Sequence, residues 1–202
     1  MKVTAISASP RKDQMTHSVL KKILNKVQSL NSEVSTELIT LAQKKISPCN
    51  ACGYCNSNYS CNIDDDMSLL IESLKNEIPD VIIFGTPVYM GSMTAQAKAF
   101  LDRTVVFRRN NFALKNTIGC AVAVGGSRNG GQEITIQSVH AAMLIHGMII
   151  IGDSSPTAHF GGTGWAKVSG GYQNDAEANA TYDSLAERIT ETLNLIKATS
   201  NN

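Results

Sequence analysis

The run Val81-Ile82-Ile83-Phe84-Gly85 constrains the fold more than any other stretch of the chain. Consecutive apolar residues without alternation describe a strand buried on both faces, and such strands belong to parallel sheets covered by helices on either side. Further strand patterns stand at Lys2–Ser7, Asn116–Val124 and Met148–Gly152. Val34–Leu41 also reads as a strand, with Val34, Leu38, Ile39 and Leu41 apolar. Between these runs the period changes to that of a helix. Thr16–Leu30 carries the stripe Val19, Leu20, Ile23, Leu24, Val27 and Leu30. Asp64-Asp65-Asp66 supplies cap and first-turn charge to a helix reaching about Glu77, and a further helix covers roughly Thr94–Val106. Gly130-Gly131 precedes a helix to about His146, and an amphipathic helix from about Asp175 to Lys197 closes the chain. Ser154–Tyr172 reads as glycine-rich and irregular, and Thr199–Asn202 as a frayed tail. Five strands alternating with helices predict an α/β fold, a three-layer, doubly wound parallel sheet with right-handed crossovers. At 202 residues this is one domain, taken as residues 1–198.

Composition narrows what such a domain does. Lys and Arg number 18 against 17 Asp and Glu, so no charge bias favours nucleic acid or an anionic membrane. The apolar runs are too short to span a bilayer. The N-terminus enters a strand directly, without a signal-peptide pattern, and a cytoplasmic protein is expected.

That compartment bears on the cysteines. Four of the five fall in one loop, residues 48–62, at Cys49, Cys52, Cys55 and Cys61, with the spacing C-x2-C-x2-C-x5-C. Two-residue gaps put successive thiolates on one concave side of a tight loop, and Gly53 permits the positive φ that close wrapping needs. In a reducing compartment a local group of this kind is a metal site before it is a disulfide framework. A [4Fe–4S] cluster takes four Cys thiolates, and the first three match the bacterial ferredoxin run. Structural zinc also accepts four cysteines, though more often as two separated pairs, and bare thiols complete the alternatives. Cys120, inside an apolar strand, reads as a small packed hydrophobe.

In doubly wound sheets ligands lie beyond the carboxyl ends of the strands. The loop after the first strand presents Ser7, Ser9, Arg11, Thr16 and Ser18 at a helix N-terminus, a set suited to a phosphate monoester. It carries neither a nucleotide-triphosphate loop nor a dinucleotide fingerprint, and the same residues also read as an ordinary capped helix start. The loop after the third strand, Thr86–Ser92, supplies Pro87, Val88, Tyr89, Met90 and Gly91. Its flat or soft side chains suit a ring system, with core packing of Tyr89 as the other reading. The loop after the fourth, Gly125–Gln132, offers close backbone approach at Gly126, Ser127 and Gly131. A phosphate at one end and a planar ring crossing two loops describe FMN. The cysteine loop, following the second strand, is expected at this same end of the sheet.

These residues resemble a known family. Ser9-Pro10-Arg11-Lys12 with Thr16, and Gly85–Ser92 followed by Ala95–Arg103, look like the flavin-binding signatures of the NADPH-dependent FMN reductases. With the cysteine loop between them and Gly125–Glu133 after, the chain resembles the iron–sulfur flavoproteins of archaea and anaerobic bacteria over about Lys2–Ile151. The resemblance implies a flavodoxin-like fold with strand order 2-1-3-4-5, FMN, one [4Fe–4S] cluster per chain and a homo-oligomer, a dimer or tetramer. The residues matching its flavin motif are Ser9, Arg11, Thr16, Pro87, Val88, Tyr89, Gly126 and Gly131. One departure is Gln14-Met15, where many relatives have Gly-Asn.

The function expected is electron transfer, with single electrons passing between cluster and FMN and no general acid–base dyad. The resemblance implies a ferredoxin-like donor and a small oxidant as acceptor. An NAD(P)H-dependent FMN or quinone reductase without a cluster is the enzyme alternative. A flavin-binding carrier or zinc-stabilised interaction module is the non-catalytic one. Elsewhere, His17 neighbours the phosphate loop but reads first as helix-start polarity, and His140 and His146 read as structural or solvent-facing. His159 and Trp165 read as part of a lid or subunit contact, with simple packing the first reading of the lone Trp165.

Overall fold

The computed structural model describes residues 1–200. The strands are β1 (Lys2–Ser7), β2 (Ser35–Thr40), β3 (Val81–Pro87), β4 (Ile118–Gly125), β5 (Ile149–Ile150) and β6 (Gly162–Trp165). The helices are α1 (Met15–Leu30), α2 (Met67–Asn76), α3 (Ala95–Arg103), α4 (Val105–Arg109), α5 (Gln132–Leu144) and α6 (Ala176–Ser200). The strands run parallel in the order β2-β1-β3-β4-β5, with β6 also paired to β4. Every residue of β3 and β4 is buried, as the unbroken apolar runs require.

The period-2 geometry of a strand sorts β3 between two cores. Ile82 and Phe84 join Phe100, Phe107, Ile136 and Met143 on the α2–α5 side. Val81 and Ile83 face Val19, Leu20, Ile23, Tyr182, Leu185 and Ile189 of α1 and α6. Cys120 lies in this second core, where burial pushes its thiol well above the ordinary range.

The sheet departs from the expected five strands at one edge. β5 pairs only with Ile118 and Gly119, and β6 takes the same side of β4 from Val122 to Gly125. β6 comes from the stretch read as irregular. Its glycines permit an approach no side chain allows: a Cβ at Gly164 would lie 2.0 Å from the Tyr182 hydroxyl. Between the two strands, Asp153 accepts hydrogen bonds from the His159 amide and the Thr157 hydroxyl, both at 2.5 Å. His159 is therefore tied into an anchored loop.

The helix expected over Thr94–Val106 is broken in two at Thr104. The Thr104 hydroxyl lies 2.6 Å from the Leu101 carbonyl, a bond that competes with the helical ladder. It also lies 2.9 Å from Nε2 of His146, and both His146 and His140 are buried. Burial, and for His146 also the charge of Arg108, holds these imidazoles below their usual titration range. Helix α6 continues through Ser200 instead of fraying at Thr199; the rest of the expected tail, Asn201 and Asn202, lies outside the described residues. No helix among the described residues is long and apolar enough to cross a membrane.

Candidate functional site

The loops after β1, β3 and β4 meet at the carboxyl edge of the sheet. Ala8 donates its amide to the Gly85 carbonyl (2.7 Å), and the Thr94 hydroxyl donates to the Ala8 carbonyl (3.0 Å). Val88 donates its amide to Val124 at 2.9 Å. A Cβ at Gly131 would stand 3.4 Å from the Gly91 Cα and 3.5 Å from Val88 Cγ1, so the third loop rests directly on the second.

The first loop has the features of an anion cradle. Gln14 occupies the N-cap of α1 without a side-chain hydrogen bond, and the first turn holds no acidic residue. The first-turn amides therefore have no side-chain cap from Gln14. Ser9 and Thr16 are buried and Arg11 is exposed. The Ser9 hydroxyl lies 3.2 Å from the Arg11 amide, which donates to it, so it shapes the turn carrying the guanidinium. His17 stands 3.6 Å from Asp13, set to its own helix start.

In the second loop Tyr89 and Ser92 exchange backbone hydrogen bonds of 2.9 and 3.1 Å across a two-residue turn at Met90 and Gly91. Both turn residues have positive φ, as a hairpin turn of this kind requires. Met90 is fully exposed and Tyr89 half exposed, so Tyr89 is not core.

The third loop shows what the sequence reading missed. Buried Gln132 donates to the carbonyls of Ser127 (2.7 Å) and Gly164 (3.1 Å) and accepts from the Gly130 amide (2.8 Å). Trp165 donates its indole N–H to the Gly126 carbonyl at 3.2 Å, with Arg128 over its ring. Arg128 is fixed in turn by buried Asp175 at 2.7 Å. Trp165 therefore braces the Gly126–Gly131 loop. The polar side chain opening α5 was the available sign; without β6 it had no visible partner.

The cysteines form a second site. Cys49, Cys52, Cys55 and Cys61 line one cavity of about 260 Å³, together with Asp102, Arg103, Val105, Val106 and Arg109. Gly53 has φ of +78° and opens a short 3-10 turn at Tyr54–Asn56 that carries the buried Cys55. Among the described residues no three metal-binding side chains are gathered as ligands of a single ion.

This cavity does not adjoin the flavin loops as expected. The loop leaves β2 at the carboxyl edge, where Gln96 of α3 donates to the carbonyls of Leu41 (2.6 Å) and Lys44 (2.9 Å). It then follows α3 to its far end. That helix has 9 residues, about 13 Å at the standard rise, and its last turn and α4 form the cavity wall. The loop is closed there by a wholly buried ion pair, Arg103 with Asp65 at 2.6 Å. Arg103 also donates to the carbonyls of Ser47 (3.3 Å) and Ile63 (3.2 Å), and Asp65 accepts from the Ser47 amide (2.7 Å).

Burial works against both charges of the pair. For Asp65 the bonds from Arg103 and the Ser47 and Met67 amides outweigh it and hold the carboxyl below its usual range. For Arg103 the bonds to Asp65 and Cys61 outweigh it and hold the guanidinium above its own. The acidic run is thus more than a cap: Asp65 is a buried counter-ion, and Asp66 binds the Lys45 amide at 2.6 Å. Nothing in the sequence ties Arg103 or Arg109 to the cysteine loop, because one arginine among helical polar residues looks like any other.

Fold and cradle together place the molecule among flavodoxin-like α/β proteins. A solved flavodoxin from the domain Archaea is similar in fold, with a TM-score of 0.59 and 16% identity over 96% of this chain and 99% of that one. An iron-sulfur flavoprotein of Methanosarcina thermophila is 44% identical over 197 residues, 98% of this chain and 97% of that protein. An iron-sulfur flavoprotein of Methanocaldococcus jannaschii is 43% identical over 197 residues, covering 98% of this chain and 100% of its own. Residues 1–162 match the NADPH-dependent FMN reductases. The chain belongs to that family, and it is an FMN-dependent oxidoreductase.

Proposed function

We propose that this protein is an electron-transfer oxidoreductase holding FMN in the three loops and a [4Fe–4S] cluster on Cys49, Cys52, Cys55 and Cys61. The observation that carries the reading is the single cavity onto which all four cysteines open. Its volume of about 260 Å³ is several times the ~30 Å³ share of one water molecule, room for a polynuclear group. The printed names of the two relatives support the same view.

FMN exchanges electrons singly or in pairs and the cluster exchanges one at a time; the protein supplies position, access and local charge. The uncapped start of α1, with Ser9, Arg11 and Thr16, suits the phosphate. Pro87, Val88, Tyr89, Met90 and Gly91 suit one side of the ring, and Gly126, Ser127 and Gly131 its polar edge. The partners of this reading are a ferredoxin-like or NAD(P)H donor and a small-molecule acceptor. It includes a homo-oligomer of two or four copies, working in the cytoplasm.

Anaerobic purification with metal and sulfide analysis tests the proposal. Brown protein with flavin absorbance and about four irons per chain is the expected result. Yellow protein without iron or sulfide would sink it. The match to NADPH-dependent reductases favours one second reading, a reductase with no cluster; iron-free protein whose flavin bleaches rapidly with NADPH alone would establish that one instead.

A further inference from the structure

Two arginines reach the cysteine cavity, and they differ in what surrounds them. Arg103 is buried, its charge matched by Asp65, with its terminal nitrogens on the Ser47 and Ile63 carbonyls and Cys61 beside it. Arg109, the last residue of α4, lies at the exposed end. Its Nη1 donates to Sγ of Cys55 at 3.5 Å, and no carboxylate among the described residues pairs with it. The remaining charge on the cavity wall is Asp102, which Lys98 already neutralises at 2.5 Å. Thiols apart, the wall therefore carries one unmatched positive charge, directed at the most buried of the four cysteines.

We propose that Arg109 sets the reduction potential of the centre held by the four cysteines, an inference that rests on the cluster reading above. A [4Fe–4S] cluster held by Cys49, Cys52, Cys55 and Cys61 would supply one-electron chemistry, its reduced form one charge unit more negative than its oxidised form and the electron coming from a low-potential one-electron donor. No bond forms or breaks, and no proton is required. A fixed cation beside a ligand sulfur favours the more negative form. Potentials of such centres follow net charge, hydrogen bonds to the sulfurs and exposure, and Arg109 supplies the first two at Cys55. Solvent and salt screen this contribution because the residue is exposed. The effect expected is about tenfold in the reduction equilibrium, roughly 59 mV for one electron.

The test uses the full chain, purified or reconstituted without oxygen, as wild type, Arg109→Gln and Arg109→Lys. Iron and sulfide are counted first; the midpoint is then read by an EPR-monitored titration with dithionite and mediators. Arg109→Gln should keep its iron and have a potential about 59 mV lower, the tenfold effect, with Arg109→Lys recovering most of the difference. A Gln variant with full iron and the wild-type potential overturns the role, as does one that loses its iron while the Lys variant keeps both iron and potential unaltered in high salt. Wild-type protein lacking iron and sulfide overturns the cluster reading itself, a result that the metal count separates from the others.

Discussion

The flavin loops and the cysteine loop all leave carboxyl ends of strands, yet they are held by different means. The loops after β1 and β3 are joined to each other and to β4 through the backbone bonds of Ala8 to Gly85 and Val88 to Val124, with the Thr94 hydroxyl added on the Ala8 carbonyl. Their shape follows from the strands that carry them. The cysteine loop has no strand to rest on after β2. It hangs on side chains, Gln96 at one end of α3 and the Arg103–Asp65 pair at the other. A cradle of the first kind comes with the fold; the second kind is an attachment that a few substitutions can loosen.

Asp65→Ala gives the hardest test of that contrast. Removing one partner of a buried ion pair costs about 3–5 kcal/mol, and here both carboxylate bonds at the mouth of the loop go with it. Iron content should collapse and thermal stability fall, while the protein that stays folded retains FMN. Equal loss of flavin affinity would show that the two regions are not held separately. Acid provides a second approach to the same residue. Because the Asp65 carboxyl titrates below its ordinary value, the clasp contributes fully above about pH 3.9 and is lost as pH falls through the lowered titration. Asp65→Asn should remove that part of the acid-unfolding curve.

Gly164→Ala is the reciprocal experiment, aimed at the flavin side. The added methyl would meet the Tyr182 hydroxyl, and overpacking of this kind costs about 1–3 kcal/mol. The strand that braces Gln132 and Gly126 must then shift, so FMN retention measured by fluorescence should drop with iron unchanged. Thr94→Ala should have the smallest effect. It removes an N-cap, worth about 1 kcal/mol, and a side-chain tie between the first two loops. A modest fall in melting temperature and slightly faster FMN loss are expected; a loss of iron would mean that α3 transmits strain between its two ends.

How much of this was legible in the chain depends on which kind of interaction made it. The sheet order and both buried central strands follow from unbroken apolar runs such as Val81–Phe84, which leave a strand no solvent face. The grouping of Cys49, Cys52, Cys55 and Cys61 is local, and spacing alone carries it. β6 was invisible because Gly162 and Gly164 lack the β-branched or aromatic character by which strands are read; what makes them a strand is the room they leave for Tyr182. Asp65 and Arg103 were invisible as a pair for another reason. They stand 38 residues apart, and nothing periodic connects them. The position of the cysteine cavity differs from expectation on the same account: the loop begins at the carboxyl edge, and its contacts with Arg103 and Arg109 hold it at the far end of α3.

The divided edge beside β4 has a bearing on how the molecule behaves in a crowded solution. A long, flat, unpaired strand edge is a template on which another chain can add a strand. Here that position is shared by a stretch of 2 residues and one of 4, with the Asp153-anchored excursion between them. Neither piece offers a run long enough to recruit a foreign strand, so the glycine-rich segment that braces the flavin loop also blunts this edge of the sheet.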